Sequence, residues 1–228
     1  MSKDLRAVIF DMDGLIIESE KVYREGWIYG AKAMNIDLPE ELVDRMAGRS
    51  PRENTRELVN YTNSKEKVQK IRNWRENYFY EQLINNEVKI KHYFRELIAT
   101  LKINRVKTAV ATSSIKEKAA AIFDQYQLAS LFDVIVTGDQ VEKVKPDPAL
   151  YLEAQKRLDM PSQSLLVLED SVTGARAANS AGLPFIIIPD NSSNSTIKIP
   201  DNFKYMITVL DSLESVEKWI YRNKCFDF

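Results

Sequence analysis

Short, continuously apolar runs recur along the chain at residues 5–10, 106–111, 132–136, 165–168, 185–188 and 205–209. Most do not alternate with polar positions. Runs of that kind suit parallel strands covered by helices on both faces. Between them lie helical patterns at 92–102, 115–126, 148–158, 172–180 and 213–222. Alternation of short strands and helices predicts an α/β fold with a doubly wound parallel sheet.

One segment breaks the rhythm. Residues 19–91 contain no convincing strand, and helical patterns fill 20–34, 39–46, 51–62 and 65–85 instead. Pro39 and Pro51 fit first-turn positions. So many helical residues exceed what one crossover needs. The pattern therefore predicts a helical bundle, 17–90, inserted into an α/β core made of 1–16 and 91–228. The polar patch NSSNST at 191–196 reads as a surface loop.

Composition narrows the picture. The 228 residues are 44% apolar and 29% charged, enough for a core that carries an insert. A formal net charge of −1 supplies no field for nucleic acid or an anionic membrane, so neither is an expected partner. The single cysteine, Cys225, excludes an internal disulfide and any Cys-rich metal site. No apolar run approaches the length of a membrane span, and the opening MSKDLRAVIF is too polar for a signal peptide. A soluble cytoplasmic monomer is the expectation.

In open parallel sheets, ligands bind outside the carboxyl ends of the strands. Asp11 and Asp13 follow the first strand, and Thr112, Ser113 and Ser114 follow the second. Lys145 lies in VKPDP after the third, and Glu169, Asp170 and Ser171 follow the fourth. Two aspartates so close repel unless a cation intervenes or one is protonated. An EF-hand loop counted from Asp11 needs Gly and Glu where Ile16 and Val22 stand, so a calcium loop fails. Mg²⁺ suits Asp11 and Asp170, with Glu169 nearby. Thr112, Ser113 and Lys145 suit phosphate oxygens, and such a set serves phosphoryl transfer.

Blander readings stand beside these. Residues 112–114 also fit a helix N-cap, itself a phosphate site, and 169–171 could cap the next helix. Lys143 competes with Lys145, which is preferred because it directly precedes the Pro-Asp-Pro turn. In AGRSPRE (47–53), Arg49 and Arg52 could bind phosphate or sugar, or simply face solvent. His92 and Cys225 receive no role. Trp27, Trp74 and Trp219 read as packing residues.

DMDG (11–14), the Thr112 strand end, KPDP (145–148) and LEDS (168–171) resemble the four signature motifs of the haloacid dehalogenase (HAD) superfamily, in order. DMDGLIIESE and VLEDSVTGARAANSAG look most like its sugar-phosphate phosphatase and β-phosphoglucomutase branch, and the helical insert resembles that branch's cap domain. The resemblance implies a Rossmann-like core with a helical-bundle cap. It casts Asp11 as nucleophile and Asp13 as proton carrier, whose backbone carbonyl also ligates Mg²⁺. Thr112 and Lys145 would bind the phosphoryl group, Glu169 and Asp170 would place the metal, and Gly14 would allow the tight turn. The implied activity is a Mg²⁺-dependent phosphatase for a small phosphorylated metabolite, most simply a sugar phosphate. The alternative is a hexose phosphomutase of the β-phosphoglucomutase type. Asp13 argues against dehalogenase and phosphonatase chemistry, because those relatives lack a carboxylate there.

Three positions depart from the family pattern. Tyr23 stands where the β-phosphoglucomutase pattern usually has a histidine, which tilts the expectation toward hydrolysis. VKIKHYF (88–94) replaces a Pro-Gly turn, and Val144 replaces a glycine before Lys145. These last two bear on local backbone.

Overall fold

In the computed structural model, which describes residues 4–46, 49, 51–190, 199–223 and 225, the first apolar run becomes a central strand, β1 (Ala7–Phe10). The chain then passes through β2 (Ile17–Glu18) into four helices, α1 (Glu20–Ala33), α2 (Glu40–Asp44), α3 (Pro51–Thr62) and α4 (Lys65–Ile84). It returns through β3 (Lys89–Ile90). Strands and helices alternate from there: α5 (Phe94–Ile103), β4 (Lys107–Ala111), α6 (Lys116–Tyr126), β5 (Val134–Val136), α7 (Ala149–Leu158) and β6 (Leu165–Glu169). The last elements are α8 (Val172–Ala181), β7 (Phe185–Ile187), β8 (Met206–Val209) and α9 (Leu213–Arg222).

Six strands form a parallel sheet in the order β5-β4-β1-β6-β7-β8. The expected α/β class holds. Residues of each central strand divide between the two faces by the two-residue period. Val8, Phe10, Val110, Leu166 and Leu168 pack on one face. Ala7, Ile9, Ala109, Val167 and Ile187 pack on the other, with α7 and α8. Both faces are covered, which is why the central strand β1 is apolar throughout. From β1 the chain builds outward in both directions, so β1 lies at the topological switch point where such sheets bind ligands.

Helices α1–α4 surround an apolar cluster of their own, which includes Trp27, Leu42, Leu58, Val68 and Ile71. Their lower ends join the core instead: Val22, Phe79 and Leu83 belong to the same cluster as Phe10. The expectation of no strand between residues 19 and 91 needs correction. The two linkers pair as a short antiparallel ribbon, Ile17 with Ile90 and Glu18 with Lys89. Apolar Ile17 and Ile90 were the only sequence signal for it. Pro39 is the residue before α2, not within its first turn, and that helix is shorter than expected. Trp74 is partly exposed, and its ring meets that of Tyr29 edge-on. Residues 191–196 and Ala47, Gly48 and Ser50 of the AGRSPRE stretch lie outside the described residues. Among the described residues, no helix is long and apolar enough to cross a membrane.

The close packing of α1 on α4 depends on Gly30. A Cβ there would stand 2.7 Å from the Ile71 carbonyl oxygen. Alanine normally gains about 1 kcal/mol over glycine inside a helix. Here the backbone clash should reverse that sign. Gly30→Ala is expected to lower the urea unfolding midpoint; a raised midpoint would contradict this packing.

Candidate active site

The register of β1 and β6 brings the acidic residues together. Phe10 pairs with Leu168, and the Asp11 amide donates to the Leu168 carbonyl at 3.0 Å. That register places Asp11 beside Glu169 and Asp170. Carboxylate oxygens of the three lie within 4.8 Å of one another, and all three residues are buried. Lys145, also buried, pairs with Asp11 and reaches Glu169 at 2.7 Å. Lys143 is exposed, so the lysine beside the cluster is Lys145.

Glu169 is the most constrained of the three acids. Besides Lys145 it accepts from the Tyr151 hydroxyl, and from the Asp170 amide and the Ser171 hydroxyl, each at 3.2 Å. Asp170 is pressed against the turn after β1. Gly14 adopts φ +86°, and a Cβ there would stand 1.9 Å from Asp170 Oδ2. Glycine is required at that position by both conformation and space.

The electrostatics are unbalanced. Burial pushes the Asp11 carboxyl up to about 7; Lys145 opposes this and Glu169 adds to it. Burial, then Asp11 and Glu169, push Asp170 well above the usual carboxylate range. For Lys145 burial pulls downward, but Asp11 and Glu169 outweigh it and hold the ammonium charged. Three buried carboxylates thus face one buried cation. A divalent ion with oxygen-ligand chemistry fits that deficit.

Asp13 lines the same cavity as Asp11 and Asp170 but has different partners. It accepts from the Tyr23 hydroxyl at 2.8 Å and from the Ser114 hydroxyl at 2.9 Å. Thr112 is buried, and its hydroxyl accepts from the Ser114 amide at 3.0 Å. The N-cap alternative for 112–114 does not hold, because α6 is preceded by Ile115 with no side-chain cap. Ser171 does cap α8, accepting from the Gly174 amide.

A cavity of about 630 Å³ lies between the strand ends and the helical insert. Asp11, Asp13, Thr112, Ser113, Lys145 and Asp170 line its floor, whereas Glu169 is fully buried and, like Gly14, does not line it. Trp27, Arg49, Arg72 and Arg75 line it from the insert. Arg49 is ion-paired with Glu57, and Arg52 is exposed off the cavity. Sequence reasoning missed Arg72, Arg75 and Lys118. Arg72, Arg75, Glu76 and Phe79 recur at helical spacing on α4, a signal that they share one face.

The family model described as haloacid dehalogenase-like hydrolase matches residues 8–188. The chain belongs to the haloacid dehalogenase-like hydrolase family. A phosphorylated carbohydrates phosphatase of Thermotoga maritima is 33% identical over 78% of this chain and 82% of its own. A beta-phosphoglucomutase of Bacillus subtilis is 28% identical over 78% of this chain and 81% of its own. The crystal structure of a HAD hydrolase, family IA, variant 3, from Entamoeba histolytica is similar with a TM-score of 0.78. It is 25% identical and covers 96% of this chain and 99% of that one. The divalent metal general to the HAD family suits the buried acidic cluster.

A pH prediction follows from these acids. Glu20 is likewise pushed up to about 7, by burial and then by Asp190 and Asp13. Unfolded carboxyls ionise near pH ~4. Folded carboxyls with raised pKa contribute stability fully below that pH and lose it as pH climbs through about 7. In chelator, the thermal midpoint should fall between pH 5 and 8, and Glu20→Gln should flatten the fall. A midpoint that rises over this range would contradict the assigned burial.

Proposed function

We propose that this phosphoric monoester hydrolase is a Mg²⁺-dependent phosphatase of a small sugar phosphate, working through an aspartyl phosphate on Asp11. The observation that carries the reading is the convergence of Asp11, Asp13, Lys145 and Asp170 on the floor of one cavity beneath the helical insert. Residues 17–90 are read as a cap over a core formed by 1–16 and 91–228, and the enzyme is read as a monomer.

An Asp11 carboxylate oxygen attacks phosphorus, and the bond from phosphorus to the sugar oxygen breaks. Asp13 gives its proton to that departing oxygen, then takes one from water, which attacks the aspartyl phosphate. Inorganic phosphate leaves and Asp11 is regenerated. Lys145, Thr112 and Ser113 hold the phosphoryl oxygens and cost no reorganisation during transfer. Asp11, Asp170 and the Asp13 backbone carbonyl, with Glu169 beside them, would hold Mg²⁺, which neutralises phosphate charge when bound. The cap excludes bulk water and shapes the pocket, with Arg49 at its wall.

The mutase alternative is weaker. Tyr23 occupies the place of the mutase-pattern histidine, and its hydroxyl is engaged with Asp13.

The test is phosphate release from a panel of sugar phosphates, with Mg²⁺ or with chelator. Release should require Mg²⁺ and fall on the order of a thousandfold or more in Asp11→Asn. Activity that survives this substitution sinks the mechanism. Conversion of β-glucose 1-phosphate to glucose 6-phosphate, with a trace of the bisphosphate and little free phosphate, would favour the mutase.

A further inference from the structure

Lys118 lies outside every catalytic motif, yet it is a buried cation, with its side chain 8% exposed. It belongs to α6 of the core and reaches across to the helical insert. Its ammonium donates to Glu76 of α4 at 2.8 Å. It also lies 4.5 Å from the centre of the Tyr23 ring and 4.1 Å from that of Phe79. Those two rings are themselves stacked, 5.1 Å apart with 17° between planes. Arg75 pairs with Glu76 and stands over both Trp27 and Tyr23.

A desolvated ammonium needs such compensation, and an anion with two ring faces supplies it. The consequence falls on Tyr23. Its ring is held by Phe79 and by two cations, and its hydroxyl points at Asp13. Asp13 therefore receives two hydroxyls of different origin. Ser114 comes from the core, two residues before α6, whereas Tyr23 comes from the insert. Lys118 is the core cation that grips the insert next to Tyr23.

We propose that Lys118 is a positioning residue: by holding Glu76 and the Tyr23–Phe79 pair, it seats the insert so that the Tyr23 hydroxyl orients Asp13 toward the leaving oxygen. Cap seating and leaving-group protonation are thereby coupled. The inference rests on the phosphatase reading, with Asp13 as the acid.

Leaving-group dependence provides the test. A departing sugar alkoxide needs a proton, whereas p-nitrophenolate leaves without one. The Mg²⁺-loaded enzyme is assayed for kcat/KM, which reports the first phosphoryl transfer, on a sugar phosphate and on p-nitrophenyl phosphate. Lys118→Met and Tyr23→Phe should each reduce kcat/KM for the sugar phosphate about tenfold more than for the aryl ester. Lys118→Arg should recover most of the loss. The double variant should be little worse than either single one, because both act on one contact. Equal losses on both esters, or no loss on either, in variants with the wild-type unfolding midpoint, would overturn the role. Should Lys118→Met fail to fold, Lys118→Gln, which keeps a polar side chain but removes the charge, decides in its place. A wild-type enzyme that turns over neither ester would instead overturn the phosphatase reading, and this inference with it.

Discussion

Everything at this site depends on one charge imbalance. Asp11, Glu169 and Asp170 are buried within ligand-sharing distance, and Lys145 is the single cation buried against them in the described residues. Burial limits how far water stabilises the excess, and like charges in a low-dielectric setting resist ionisation. The parallel sheet creates this tension. β1 and β6 are adjacent, in register and apolar on both faces, so their polar ends emerge together into a desolvated crevice. Gly14 removes the side chain that would otherwise fill the space of the Asp170 carboxylate. A fold that merely ended its strands in aspartate would not need that accommodation.

The helical insert completes the arrangement. It closes a cavity over the acids, and it sends Tyr23 down to Asp13. The two aspartates that looked mutually repulsive in sequence occupy separate environments. Asp11 faces Lys145 and the acidic cluster, while Asp13 is held between two hydroxyls. Separation of environment is how paired carboxylates acquire different roles.

Much of this was legible along the chain. The strands were readable because both of their faces are buried, which leaves continuous apolar runs such as LLVL at 165–168. The site residues were readable because an open sheet places function at strand ends, where Asp11, Thr112 and Asp170 stand. The β2–β3 ribbon escaped notice because two residues per strand make no period. Tyr23 was visible as a departure from a pattern, but its hydrogen bond to Asp13 was not. The Lys118–Glu76 pair joins residues far apart in sequence through tertiary packing alone. Arg49 showed the opposite problem: its chemistry suits phosphate, yet its guanidinium is engaged by Glu57.

The charge deficit is most directly tested by calorimetric titration of the metal-free protein with Mg²⁺. The account predicts one ion per chain, bound with proton release because Asp11 and Asp170 carry raised pKa values without it. Asp170→Asn should weaken binding about tenfold or more, since a hard cation loses an anionic oxygen. Absence of binding, or equal affinity in Asp170→Asn, would contradict the claim that this buried cluster is built around a divalent cation.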